Sequence, residues 1–82
     1  MVKILLVEDN EMKRDMLSRW LKRKGYEVFI AVDGQEGVNM ATSESTSVIL
    51  LDMSLPIMDG WEAARNLKAN TDTKGIPILR LS

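Results

Sequence analysis

Two short apolar runs constrain this chain more than any other feature. Ile4-Leu5-Leu6-Val7 and Val48-Ile49-Leu50-Leu51 contain no polar alternation, and both stop at acid: Glu8-Asp9 after the first, Asp52 after the second. A strand with one wet face alternates apolar and polar residues, whereas a strand covered on both faces does not. Neither run approaches membrane length. Each therefore reads as a central strand of a parallel sheet with helices on both sides.

The segments between them alternate in character. From Glu11 to Lys24 the apolar residues Met12, Met16, Leu17, Trp20 and Leu21 lie on one helical stripe, with Asn10 placed to cap the start and Gly25 the end. Tyr26 to Val32 reads as a second strand. Asp33-Gly34 then starts a shorter helix through about Ala41, followed by a polar loop, "TSESTS". After the strand at Val48–Leu51, Asp59 is placed to cap a third helix from Gly60 to about Ala69, with Glu62 at capping-box spacing and Trp61, Ala64 and Leu67 on one side. Ile76 to Leu81 reads as a fourth strand. A β-α-β-α-β-α-β order with short right-handed crossovers gives an α/β fold, an open parallel sheet with helices on both faces, as a single domain over residues 1–82.

With no cysteine and no histidine among 82 residues, disulfides, thiolate or imidazole zinc sites and Ser-His or cysteine nucleophiles are excluded, so any chemistry rests on carboxylates, amines or hydroxyls. The net charge of -1 argues against a field for nucleic acid or a membrane surface. The basic run Lys13, Arg14, Arg19, Lys22, Arg23 and Lys24 reads as a solvated helix face. The apolar stretch near the N-terminus is too short for a signal peptide and ends in acid, so a soluble, cytoplasmic protein is expected. Trp20 and Trp61 sit on apolar stripes and are expected in the core, with the methionines as adaptable filler.

In an open parallel sheet, ligands bind beyond the carboxyl ends of the strands where the strand order reverses. If the order is 2-1-3-4, the first and third strands are neighbours, and Glu8, Asp9 and Asp52 converge. Carboxylates crowded together repel, and without histidine or cysteine the natural counter-charge is a hard divalent cation with oxygen ligands, magnesium fitting best. The plainer reading makes Glu8 and Asp9 helix caps and Asp52 a solvated strand end. Two apolar strands both ending in acid, followed by Pro56 and Asp59-Gly60, favour a site. A carboxylate beside magnesium can attack a phosphoryl group. Asp52, alone at the centre of the sheet, is the better nucleophile. Glu8 and Asp9 are better ligands, and the Ser54 carbonyl is a candidate for another oxygen.

The segments "KILLVEDN", "AVDGQEGV" and "LLDMSLPIMDGWE" together resemble the receiver domain of bacterial response regulators. The resemblance runs through essentially the whole chain and implies a flavodoxin-like receiver fold of order 2-1-3-4, truncated after the fourth strand. It further implies that Asp52 accepts a phosphoryl group from a histidine kinase or phosphotransfer protein. Glu8, Asp9, Asp52 and the Ser54 carbonyl would surround Mg2+, and Ser82 would be the phosphate-sensing hydroxyl. The family's fourth helix, fifth strand with its phosphate-pairing lysine, and fifth helix have no counterpart here, which bears on whether the chain can be phosphorylated. Arg80 stands where the family places a small or apolar residue, either as a tolerated change or facing solvent or a partner.

A bare sheet face and a fourth-strand edge, with Leu79 and Leu81 on one side, would favour a symmetric homodimer. The principal alternative is thus a self-associating structural fragment with a vestigial acidic pocket. A haloacid-dehalogenase-like phosphatase is disfavoured, because the second aspartate that chemistry needs would fall at Ser54.

Overall fold

The computed structural model describes residues 1–55 and 58–81. The apolar runs do form strands: β1 (Lys3–Val7) and β3 (Val48–Asp52) lie side by side in the middle of a four-stranded sheet with β2 (Glu27–Ala31) and β4 (Ile78–Leu81) at its edges. All pairings are parallel and the order is β2-β1-β3-β4, with Ile4 opposite Val48 and Val7 opposite Leu51. The connections are α1 (Glu11–Arg23), α2 (Gly34–Glu44) and α3 (Gly60–Ala69).

Local chemistry explains where the helices begin and end. The Asn10 side chain accepts the Lys13 N–H at 3.0 Å, Asp33 accepts Glu36 N–H at 2.8 Å, and Asp59 accepts Glu62 N–H at 2.8 Å. Each satisfies one of the orphan donors of a first helical turn. Gly25, at φ +94°, takes the left-handed turn that stops α1. Three boundaries differ clearly from the sequence expectation: β2 is confined to Glu27–Ala31, β4 starts at Ile78 rather than Ile76, and α2 continues past Ala41 to Glu44. The Thr42 and Ser43 hydroxyls donate back to the carbonyls of Val38 and Met40, so these residues are accommodated inside a helix. Ser45, with φ 51°, ends it.

The sheet's two faces are covered unequally. On one, Leu5, Val7, Ala31, Ile49 and Leu51 meet Ala41, Ala63 and Leu67 of α2 and α3 in the main core. Gly37 permits the close approach of α2: a Cβ there would stand 2.8 Å from a methyl of Val7. On the other face α1 seats Leu21 and Ser18 over the sheet, and beyond it Val2, Ile4, Val48, Leu50 and Leu79 line an open apolar groove of about 470 Å³ with Trp20 and Tyr26.

That asymmetry overturns part of the expected core. Trp20 is 53% exposed and Trp61 52% exposed, and Met12 and Met16 are exposed as well. The contact line of α1 runs through Ser18 and Leu21, so Met12, Met16 and Trp20, spaced by four, form a ridge beside it. On α3 the buried residues are Gly60, Ala63 and Leu67, which rolls Trp61 outward. Its ring is capped there by Arg80, whose guanidinium carbon lies 4.7 Å from the ring centroid. Met40, Met53 and Met58, by contrast, do fill against the core. Leu79 and Leu81 share a face as expected, through pairing with Leu50 and Asp52. Among the described residues no helix is long and apolar enough to cross a membrane.

Candidate metal centre

Parallel register decides the position of the acids. With Val7 opposite Leu51, the chain leaves β1 through Glu8 and Asp9 at the level where β3 ends in Asp52. One carboxylate oxygen from each of Glu8, Asp9 and Asp52 lies within 4.8 Å of the others. Glu8 is only 3% exposed and Asp52 6%, while Asp9 is open to solvent.

Burying two carboxylates beside a third requires compensation. Some comes from backbone donors. The Asn10 N–H donates to Glu8 Oε2 at 3.1 Å, and Ser54 donates to Asp52 Oδ1 from both its N–H and its hydroxyl, each at 3.0 Å. The two acids respond in opposite directions. Burial, aided by the neighbouring Asp52 and Asp9, raises the proton affinity of Glu8 in spite of the Asn10 N–H. Burial pushes Asp52 upward too, but the Ser54 N–H, Glu8, the Ser54 hydroxyl and Asp9 together outweigh it and hold Asp52 below the usual aspartate range. Glu8 thus binds a proton more readily than an ordinary glutamate, and Asp52 less readily than an ordinary aspartate.

The loop after β3 is built to stay close. The Gly60 N–H donates to the Met53 carbonyl at 3.3 Å, and a Cβ on Gly60 would stand 2.4 Å from Met53 Cα and 2.6 Å from the Asp52 carbonyl oxygen. Gly34 at the head of α2 is likewise pressed on the Met58 carbonyl. These contacts account for the Asp59-Gly60 pair noticed in the sequence. Pro56 and Ser82 lie outside the described residues.

Arg14 was read from sequence as part of a solvated basic face, and its actual place is different. Its Nη1 donates to the carbonyls of Glu8 at 3.1 Å and Asp9 at 3.3 Å, pinning the acid pair and bringing a cation alongside. Only its position one turn into the helix after the acids hinted at this.

All three clustered groups are hard oxygen donors, the donor set suited to Mg2+ or Ca2+ and unsuited to softer metals. Their crowding and the raised Glu8 are the strain that a divalent cation would relieve.

Residues 4–82 match the family model for the response regulator receiver domain. The chain belongs to the response regulator receiver family. This receiver is 33% identical to protein PilH of Pseudomonas aeruginosa over 96% of its own length and 65% of PilH. To the transcriptional regulatory protein HprR of Escherichia coli it is 35% identical, over 99% of its own length and 35% of HprR. It therefore spans about two thirds of one curated relative and about a third of the other.

Solved structures agree. The N-terminal domain of a response regulator receiver protein from Methanoculleus marisnigri superposes with a TM-score of 0.96 at 33% identity, covering 100% of this receiver and 67% of that chain. The receiver domain of a sensor histidine kinase from Pseudomonas aeruginosa, described with a magnesium ion coordinated in the active site cleft, gives 0.95 at 34% identity, with 99% and 66% covered.

Proposed function

We propose that this receiver is a phosphoacceptor module of two-component signalling: Asp52 takes a phosphoryl group from a histidine kinase or a phosphotransfer protein, in the presence of Mg2+. The observation that supports it most is the convergence of three carboxylates from the ends of two adjacent strands, with Asp52 held below the usual aspartate range. Glu8, Asp9 and Asp52, with the main-chain carbonyl of Ser54, are the residues that would hold the ion. When bound, it would offset the charge of the phosphoryl oxygens.

The chain's own residues supply the remainder. An Asp52 carboxylate oxygen forms a bond to phosphorus, the bond from phosphorus to the donor nitrogen breaks, and the electron pair leaves with the donor's imidazole. Ser54 keeps the attacking carboxylate oriented, and Arg14 holds the strand end that carries Glu8 and Asp9. Ser82 is proposed as the phosphate-sensing hydroxyl on the family resemblance alone. The module is a switch rather than a turnover enzyme, acts in the cytoplasm, and contacts neither nucleic acid nor membrane. Incubation with a small-molecule phosphodonor and Mg2+ is expected to add one phosphoryl group by intact mass, and Asp52→Asn to abolish the gain. No gain in the parent chain would reduce the acid cluster to a vestige.

A second reading has its own observation. The groove beside α1 is almost wholly apolar, and Leu79 on the edge strand is 56% exposed at its rim. A symmetric homodimer in which two copies cover this face and the β4 edge is the self-associating alternative. Sedimentation at micromolar concentration is expected to show a dimer that Leu79→Glu dissociates. A well-folded monomer would exclude it.

A further inference from the structure

Arg14 belongs to the first turn of α1, yet its side chain acts on the strand before it. Helical side chains lean back toward the N-terminus of their own helix. Arg14 accordingly reaches past the cap at Asn10, whose carbonyl accepts the Arg14 main-chain N–H at 2.9 Å, to the bend where β1 has ended. There Nη1 donates to the carbonyls of Glu8 at 3.1 Å and Asp9 at 3.3 Å. The Glu8 N–H is also tied to the Ala31 carbonyl of β2 at 3.1 Å, but Asp9 lies beyond the last ladder pairing and is exposed. Among the described residues no carboxylate lies within 4.0 Å of an Arg14 nitrogen, and Asp15 pairs with Arg19 instead. The guanidinium thus holds the main chain of the two acids rather than their carboxylates.

We infer that Arg14 is a positioning residue of the metal centre: it clamps the Glu8–Asp9 main chain so that the exposed Asp9 carboxylate stays beside Glu8 and Asp52, and this raises the affinity of the cluster for a divalent cation. Two effects of the side chain oppose each other. Its charge repels an incoming cation, whereas its hydrogen bonds remove the cost of ordering Asp9 when the cation binds. The clamp outweighs the charge. Arg14 is half-buried and stands off from the carboxylates, so salt screens the repulsion, while the two hydrogen bonds act at contact, where mobile ions do not intervene. Residues that orient a ligand without touching the metal commonly change affinity by about 10–100-fold.

This inference rests on reading the acid cluster as an Mg2+ site, and the experiment keeps the two apart. Mg2+ affinity is measured by calorimetry at low and high salt in the parent chain, in Arg14→Met and in Leu67→Val. The last is the control for lost stability, since Leu67 is buried two turns along α3 from Gly60. NMR relaxation reports the backbone order of Asp9 and Asn10 in metal-free protein. Arg14→Met keeps the aliphatic stem and removes the donors, and is expected to bind Mg2+ roughly tenfold more weakly and to loosen Asp9 and Asn10, while Leu67→Val stays within about twofold of the parent. Unchanged affinity in Arg14→Met overturns the clamp. Tighter binding that fades with salt also overturns it, because the charge would then be the larger effect, and so does an equal loss in Leu67→Val. Should Arg14→Met not fold, the parent still decides: hindered rotation of the Arg14 guanidinium by NMR is expected, and free rotation overturns the clamp. A parent that binds no Mg2+ overturns the metal reading itself, a result that no outcome for Arg14 can mimic.

Discussion

Val7 lies opposite Leu51 in the parallel β1–β3 ladder, and this pairing brings Glu8 and Asp52 out of the sheet side by side. The consequence is electrostatic. Two nearly buried acids share one edge of the molecule, Glu8 with its proton affinity raised and Asp52 with its proton affinity lowered.

Neutralising Glu8 is therefore expected to stabilise the metal-free receiver. Glu8→Gln keeps an acceptor for the Asn10 N–H and removes a buried charge that repels its neighbours. A gain of about 1 kcal/mol would raise the melting temperature by roughly 4–8 °C in a domain of this size. A thermal melt in chelator checks it, and the rise in melting temperature that Mg2+ brings to the parent should shrink in the variant.

Stability should also depend on pH with opposite signs from the two acids. Because the fold raises the proton affinity of Glu8, the folded chain binds more protons than the unfolded one just above the ordinary glutamate range, and stability falls as pH rises through that window. Asp52 is held low, so its contribution is present at neutral pH and is lost as pH falls through and below the usual aspartate range. Metal-free protein should accordingly be more stable in mild acid than at neutral pH, and weaker again in strong acid. Denaturant titrations across pH test this, and saturating Mg2+ should flatten the Glu8 limb because a cation favours the ionised carboxylate.

Gly60→Ala is expected to be costly, because the atoms that a Cβ would strike, Met53 Cα and the Asp52 carbonyl oxygen, belong to the backbone. A loss of about 1–3 kcal/mol in chemical denaturation is anticipated, together with slower labelling of Asp52, since the obstacle is the residue's own carbonyl. Gly75→Ala is the control: nothing lies within 4 Å of its Cβ, and a change within about 0.5 kcal/mol is expected.

Arg80 stacks on Trp61 across the space between β4 and α3. Removing it in Arg80→Ala should cost about 0.5–1 kcal/mol and alter the Trp61 fluorescence. Measuring both in a Trp20→Phe background leaves a single reporter. Unchanged emission would show that the two side chains do not stack in solution.

Much of this molecule was readable without coordinates, and the portions that were share a cause. Strand identity at Ile4–Val7 and Val48–Leu51, and the caps Asn10, Asp33 and Asp59, depend on residues within a turn or two of one another, where periodicity and side-chain acceptors act directly. The acid cluster was legible one step further, once the order 2-1-3-4 was assumed. Trp20, Trp61, Met12 and Met16 were misplaced because a helical stripe shows which residues share a side but not which line of the helix meets the sheet. Arg14 escaped notice for a related reason: its partners are main-chain carbonyls, which have no signature in the sequence.

By itself, then, the sequence determined the alternation of strands and helices, the caps at the helix starts, and the restriction of any chemistry to carboxylates, amines and hydroxyls, all of which follow from local composition and spacing. Only the tertiary structure decided that Glu8, Asp9 and Asp52 meet within 4.8 Å, that Ser54 ties one oxygen of Asp52, and that one sheet face stays half covered. Those outcomes depend on the register between strands more than forty residues apart and on how far each helix reaches across the sheet, which no local run of residues encodes.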